Sequence, residues 1–247
     1  NHAAEESGGG LQLLHGGKSQ VLNCSFSGNL AKKDGVSLAV ALQENCYIIN
    51  CSFSEKFAKS SASLYSKRMK YLVVLSSCIR KPKRSNSNAG GGILAEHTSY
   101  IKIIYCFFEN NINLYGGGMK MKQTILCLII GSTLKGNKGK CGGGLAVKFS
   151  LHGEVRILYC TFSDNLAETG AGIYVFGLGY LVVSKCTFTE TKSIVATKPK
   201  GPRKIFGGGI AVKHSNEMRL AFSSFVNNNA RKAGGGLYIN NAIQTYI

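Results

Sequence analysis

Residues 142–165 read GGGLAVKFSLHGEVRILYCTFSDN, a phrase that contains every part of a unit repeated along the chain. A Gly-Gly-Gly-aliphatic tetrad opens it at Gly142, and Cys160-x-Phe162-x-x-Asn165 closes it. Tetrads recur at Gly8, Gly90, Gly116, Gly207 and Gly234, with degenerate copies starting at Gly35, Ser61 and Gly170. The closing signature returns complete at Cys24-Phe26-Asn29 and Cys106-Phe108-Asn111, and with Ser for Cys at Ser223-Phe225-Asn228. Cys24, Cys51, Cys78, Cys106, Ser132, Cys160 and Cys186 follow one another at intervals of 26 to 28 residues. A unit that short cannot bury a core alone, so the units must stack.

After each tetrad apolar residues sit two apart, as at Leu145 and Val147, Met119 and Met121, Ile173 and Val175, Ile210 and Val212. This is strand periodicity. Further on, Val155 and Ile157 hold one parity while Leu158, Cys160 and Phe162 hold the other; Ile101 and Ile103, then Ile104, Cys106 and Phe108, repeat the switch. A one-residue phase change inside an apolar run marks a corner or bulge with both halves facing inward. Each rung is therefore expected to carry three short strands. Stacked rungs pair each strand with its copy in the next turn, and about nine rungs of ~27 residues at ~4.8 Å make a rod of ~40 Å. Crossovers between parallel strands are right-handed, so the expected fold is all-β: one right-handed parallel β-helix over residues 1–247. A leucine-rich coil would need a Leu-x-x-Leu-x-Leu-x-x-Asn line, which is absent.

The recurring residues have mechanical readings in such a coil. Tetrad glycines suit backbone at positive φ or in close approach to the next rung. Phe26, Phe53, Phe108, Phe162, Phe188 and Phe225 should form an internal aromatic column. Asn29, Asn111, Asn137, Asn165 and Asn228 fall at strand ends, where left-handed geometry is tolerated and the amide can bond the turn backbone. Six of the nine cysteines share one repeat position, and Ser takes it in two more rungs. That pattern reads as a packing slot rather than as disulfide partners. Cys46, Cys127 and Cys141 show no repeat partner.

Lys and Arg number 30 against 12 Asp and Glu, a formal charge of +18, so long-range attraction favours polyanions or an anionic surface. No nucleic-acid motif accompanies the charge, and no specific nucleic acid is expected. The apolar runs Tyr71 to Leu75 and Ile125 to Ile130 are far short of the ~20 residues of a transmembrane span. The opening Asn1-His2-Ala3 matches Asn29-Leu30-Ala31, Asn165-Leu166-Ala167 and Asn228-Asn229-Ala230. The chain is accordingly expected to be part of a longer stack, in which a missing leader says nothing of secretion.

With tetrads and Phe-x-x-Asn signatures both placed, the chain resembles the polymorphic outer membrane protein-type repeat family, whose motifs are GGA[ILV] and FxxN. The likeness covers nearly the whole chain, although the third tetrad position is usually Gly here and the copies at Gly35 and Ser61 are degraded. The resemblance implies a parallel β-helix displayed outside the cell or at its surface, in adhesion or as a structural scaffold, with no catalytic residues. The broader pectin-lyase-like superfamily shares the coil and includes enzymes, but a shared fold does not transfer an activity.

Hydrolysis of the polygalacturonase type needs clustered aspartates, and the only two, Asp34 and Asp164, are five rungs apart. Calcium-assisted lyases need several acidic ligands, and no rung shows such a cluster. Glu154 and Glu168 read as exposed loop carboxylates. His15, His97 and His214 share a coil position but lie rungs apart, so they read as solvated turn residues, not as ligands of one metal. No cofactor is expected. The alternative activity is a polysaccharide lyase acting on acidic polysaccharides through a Lys or Arg base.

Basic residues collect between Phe and the next tetrad, and the run Lys198-Pro199-Lys200-Gly201-Pro202-Arg203-Lys204 lengthens its rung as an insertion over about residues 192–206. Lys138, Lys140, Lys198, Lys200, Arg203, Lys204, Arg231 and Lys232 are the candidate polyanion-binding residues, with an acidic or sulfated polysaccharide or an anionic cell surface as partner. Asn23-Cys24-Ser25 and Asn50-Cys51-Ser52 match the glycosylation sequon, with both Asn pointing outward if their Cys points inward.

Overall fold

The tetrad-to-asparagine phrase folds into one turn of a coil, and the coil repeats. The structure is a computed structural model that describes residues 2–3, 8–31, 36–54, 62–80, 91–193 and 206–247. Every pairing among them is parallel and joins a strand to its copy one turn away. The Phe-bearing strands, from Ser25–Ser27 to Ser224–Val226, form one eight-stranded sheet. Its first and last strands are thus seven complete turns apart, with partial turns beyond them. The expectation of about nine rungs counted every tetrad, and a tetrad only begins a turn.

The tetrad strand and the middle strand share the largest sheet. They are separate elements at Ile93–Glu96 and Tyr100–Ile104, and at Met119–Lys122 and Leu126–Ile130. They merge into single bent strands at Leu145–Leu158, Ile173–Ser184 and Ile210–Ala221. A fourth side, unforeseen, is made by two-residue strands Leu166–Ala167, Lys192–Ser193 and Asn229–Ala230. The same side pairs His2 with Leu30 and Ala3 with Ala31, the register that the Asn-x-Ala match predicts.

Each corner is a single left-handed residue, and these residues stack. One column runs His97, Gln123, Phe149, Gly177, His214; a second runs Tyr105, Gly131, Tyr159, Lys185, Phe222; a third runs Asn110, Gly136, Asp164, Glu190, Asn227; the first tetrad glycine supplies the fourth. Aromatic, basic and acidic residues all occupy these positions, so the stack, not the side chain, imposes φ. The asparagines of Phe-x-x-Asn are not themselves the left-handed residues, contrary to expectation. That geometry belongs to the residue before each of them, and Ile104 and Leu158, expected inside, are only half-buried because the turn follows directly at Tyr105 and Tyr159.

At three of the four corners a recurring arrangement has the backbone N–H of the residue after the corner met by a side chain from the next turn. The N–H of Cys106 donates to Ser132 Oγ at 3.1 Å, that of Cys186 to Ser223 Oγ at 3.1 Å, and that of Cys160 to Cys186 Sγ at 3.4 Å. At the next corner the N–H of Asn111 donates to Asn137 Oδ1 at 3.0 Å and that of Asn137 to Asn165 Oδ1 at 2.9 Å. The N–H of Thr124 likewise donates to Ser150 Oγ at 3.1 Å. These slots favour a short side chain with an acceptor atom, and so Cys exchanges with Ser and Asn with Thr191, although Met69 and Leu178 take the Ser150 position in two turns. The Cys position is therefore a backbone cap as well as a packing slot.

Register also corrects the cysteine alignment. Ser77, not Cys78, takes the cap, since the N–H of Cys51 donates to Ser77 Oγ at 3.1 Å and Cys78 pairs with Phe107 one position further on. Cys46 and Cys127 do have repeat partners: they occupy the inward middle-strand position held by Leu72 and Ile101 in the turns between them. All nine cysteines are free thiols.

Inside the coil Phe162 stacks on Phe188 with ring centroids 4.8 Å apart, and Phe188 on Phe225 at 4.8 Å. The column is interrupted by Ile79 and Leu134 on either side of Phe108. The third tetrad glycine faces it: a Cβ on Gly144 would meet Gly172 O at 2.6 Å and the Phe162 ring at 2.9 Å.

Phe108 and Phe162 are fully buried, and replacing either by Ala should cost on the order of 3 kcal/mol in chemical denaturation. Ser132→Ala should cost ~1–3 kcal/mol by orphaning the Cys106 N–H, whereas Ser132→Cys should cost about 1 kcal/mol or less. Equal losses from the two Ser132 variants would refute the capping role.

Candidate functional site

The four described members of the predicted basic edge are all exposed, and they fall into two groups. Lys138 bridges Ile112 and Leu166 on the fourth side of the coil, and Leu166 in turn pairs with Lys192. Lys140 has Glu168 as its next-turn neighbour, whose N–H donates to the Lys140 carbonyl at 2.9 Å. Arg231 follows three turns after Lys140, ~14 Å away at the spacing of parallel turns, and Lys232 adjoins it. Lys198, Lys200, Arg203 and Lys204 lie outside the described residues.

A second cationic surface was not singled out from the sequence. On the tetrad strands, the residue six positions after the first tetrad residue faces outward, and it is Lys67, Lys122, Lys148 or Lys213 in four turns. That fixed offset was the available signal. Lys120 adds a further cation, paired with Glu96 at 4.0 Å. Immediately before two of the tetrads, Tyr115 and Phe206 fold against this face and contribute aromatic rings. Lys148 Nζ lies 3.2 Å from the centre of the Tyr115 ring and 5.9 Å from that of Tyr174. Lys213 Nζ lies 5.6 Å from the centre of the Phe206 ring, which itself stacks on Tyr238 at 4.1 Å. Tyr174 is buried beside Ala146 and Ala211, with Tyr115 and Cys141 packed against them.

Electrostatics tie Lys140 to this face. Burial pushes the Cys141 thiol above its ordinary range, and Lys148, Lys213 and Lys140 partly pull it back. Burial likewise lowers the Lys148 ammonium, with Cys141 acting against the shift. Tyr174 is pushed up to about 12 by burial first, then by Cys141 and Tyr115. Tyr174 thus stays a neutral ring, and the lysines supply the positive charge.

This face joins cations to aromatic surface, a combination that binds anions or stacks on planar and sugar rings. Among the described residues no group of three or more His, Cys, Asp and Glu could hold a metal ion. Asp164 is exposed at a corner, while Asp34 lies outside the described residues. Glu154 is a strand residue paired with Arg156, not the loop carboxylate expected. His15, His97 and His214 are exposed corner residues at φ of 52°, 51° and 54°, as their shared coil position implied. Asn23 and Asn50 of the two sequons stand exposed one above the other, with Asn50 Nδ2 donating to Asn23 Oδ1 at 2.8 Å. Among the described residues no helix is long and apolar enough to cross a membrane.

Buried thiols give the coil a pH signature. Burial raises Cys106 to about 11 and Cys46 to about 12 from the ordinary 9.0. Raised folded-state values stabilise fully below pH 9, and that contribution is lost as unfolded thiols ionise while the folded ones stay protonated. Thermal stability should therefore fall between about pH 9 and 12, less steeply in Cys46→Ala. At pH 8 an alkylating reagent should modify exposed Cys24 well before Cys46 or Cys106; simultaneous modification in native buffer would contradict the burial.

No curated protein and no solved structure matches this chain. The family model described as the right handed beta helix region matches residues 44–230, about three-quarters of the sequence. Its span runs from the second turn to the last fourth-side strand, Asn229–Ala230, and its handedness agrees with the crossover rule. With the parallel ladders, stacked corners and inward caps in place over that span, the chain belongs to the right-handed β-helix family.

Proposed function

We propose that this protein is a non-enzymatic β-helix scaffold of the cell surface or extracellular space that holds acidic polymers, such as acidic or sulfated polysaccharides. The observation that carries the reading is the outward tetrad-strand face, where Lys122, Lys148 and Lys213 recur at one offset beside Tyr115, Phe206 and Tyr238. The paired GGG-aliphatic and Phe-x-x-Asn motifs support it through their likeness to polymorphic outer membrane protein-type repeats, used in adhesion. The formal charge of +18 adds long-range attraction. A flexible polyanion would contact many such lysines in parallel, each weakly, with steep loss as salt rises. The edge residues Lys138, Lys140, Arg231 and Lys232 would extend the contact around the coil, and Lys198, Lys200, Arg203 and Lys204 remain proposed contributors of positive charge.

A second reading, a pectin-lyase-like enzyme acting on acidic polysaccharides, is favoured by one feature: the desolvated Lys148, whose lowered proton affinity suits a general base. Its signature would be unsaturated product from uronate polymers, lost in Lys148→Ala.

Heparin-column elution separates binding from bulk charge. The triple reversal Lys122→Glu, Lys148→Glu, Lys213→Glu should elute at distinctly lower salt than the reversal of Lys102, Lys135 and Lys185, exposed lysines on other sides. Equal shifts would reduce the attraction to net charge, and no retention of the native protein at low salt would end the proposal.

A further inference from the structure

On the middle-strand face of the coil, two Glu-Arg fences flank one low turn. Glu154 and Arg156 form an ion pair on one side, Arg156 Nε to Glu154 Oε1 at 2.5 Å. Glu217 and Arg219 form the equivalent pair two turns on. Between them the sheet register places Tyr180 in line with the two glutamates and Val182 in line with the two arginines. Because Val182 is short where its neighbours are long, a surface depression of about 470 Å³ opens over this turn. That volume suits a small ligand.

The depression has charge structure but no net charge. Each pair is joined through one guanidinium nitrogen and one carboxylate oxygen, and a guanidinium carries five N–H donors; the Arg219 guanidinium also lies 5.3 Å from the centre of the Tyr246 ring in the following turn. Arg156 and Arg219, ~9.6 Å apart across two turn spacings, form a positive clamp over Val182. Glu154 and Glu217 form a negative clamp over Tyr180, ~6.5 Å further along the strand. Tyr180 is 48% exposed, so part of its ring is available to a cation. A polyanion gains little here, since each arginine has a glutamate beside it.

We propose that this depression binds a zwitterionic head group of the phosphocholine or phosphoethanolamine type. The phosphate sits between Arg156 and Arg219, where planar guanidiniums present paired N–H donors to its oxygens. The ammonium, two carbons away, lies against Tyr180 between Glu154 and Glu217, held by cation–π attraction and by both carboxylates. The complementarity is one of paired opposite charges, so binding should resist moderate salt, unlike attraction to the lysine face.

Calorimetric titration of the intact protein with phosphocholine tests this. Phosphocholine should bind at least 10-fold more tightly than choline or inorganic phosphate alone, and Tyr180→Ala and Arg219→Gln should each weaken it at least 10-fold. Val182→Arg, an outward substitution that fills the gap and keeps both fences, should abolish binding, whereas Lys135→Ala, an exposed change on the sheet that carries the Phe column, should leave it unchanged. Capture on phosphatidylcholine vesicles, lost in Val182→Arg, assigns the source to a lipid surface; binding of free phosphocholine without vesicle capture assigns it to soluble or glycan-borne head groups. Absence of phosphocholine binding at tens of millimolar, equal binding of phosphate alone, or binding indifferent to Val182→Arg would overturn the proposal. The heparin experiment on Lys122, Lys148 and Lys213 is unaffected by any of these results.

Discussion

Each turn of this coil must change direction about four times; at the tetrad corner the ladder itself takes the next N–H, as from Gly117 to Gly142 O, but the other three corners present an inward backbone N–H that needs another acceptor. A buried amide without an acceptor costs ~1–3 kcal/mol, and the coil has several in every turn. The recurrent solution at these three corners is a Ser, Thr, Cys or Asn in the slot after the left-handed residue, whose side chain accepts from the turn stacked beside it. Asn137 shows the full version, donating to Phe108 O at 3.0 Å and to Asn165 Oδ1 at 3.1 Å while accepting from Asn111. The caps let these corners stack without burying an unpaired amide, and stacked corners hold the strands in register.

From that constraint the rest of the interior follows. Fixed corners hold Phe162, Phe188 and Phe225 at one turn spacing, so their rings stack face to face at 4.8 Å. The rings in turn occupy the space a side chain would need at Gly144, Gly172 and Gly209, so the third tetrad position has no room for a side chain in those turns. Polar cap, aromatic column and glycine stack are three consequences of one geometry.

The outside of the coil obeys weaker rules. Outward positions are paired in register but bear no packing requirement, so their composition varies from turn to turn. The lysine face and the zwitterionic depression both arise because the coil sets residues from distant parts of the sequence ~4.8 Å apart. Lys148 and Lys213 are 65 positions apart in the chain yet lie two turns apart, and Glu154 and Glu217, 63 positions apart, do the same. Repeat scaffolds create sites by such juxtaposition rather than by local motif.

The tetrads, the Phe-x-x-Asn signature and the period of 26 to 28 residues were enough to determine a parallel β-helix and an inward Phe position, but not the Ile79 and Leu134 that interrupt the column or the half-buried Ile104 and Leu158 at the corner. They are local signals tied to interior demands, and every turn restates them. Sequence also led to the Cys slot, but by spacing alone it chose Cys78 over Ser77, because counting residues cannot detect a one-residue offset within a turn. Only register resolves that, through the bond from the Cys51 N–H to Ser77 Oγ. The candidate sites were less legible for the same reason in stronger form. Sequence grouped Lys138, Lys140, Arg231 and Lys232 by their place between motifs, whereas the pairing of Lys148 with Tyr115, and of Arg156 with Arg219 across Val182, depends on which residues the stacked turns bring side by side.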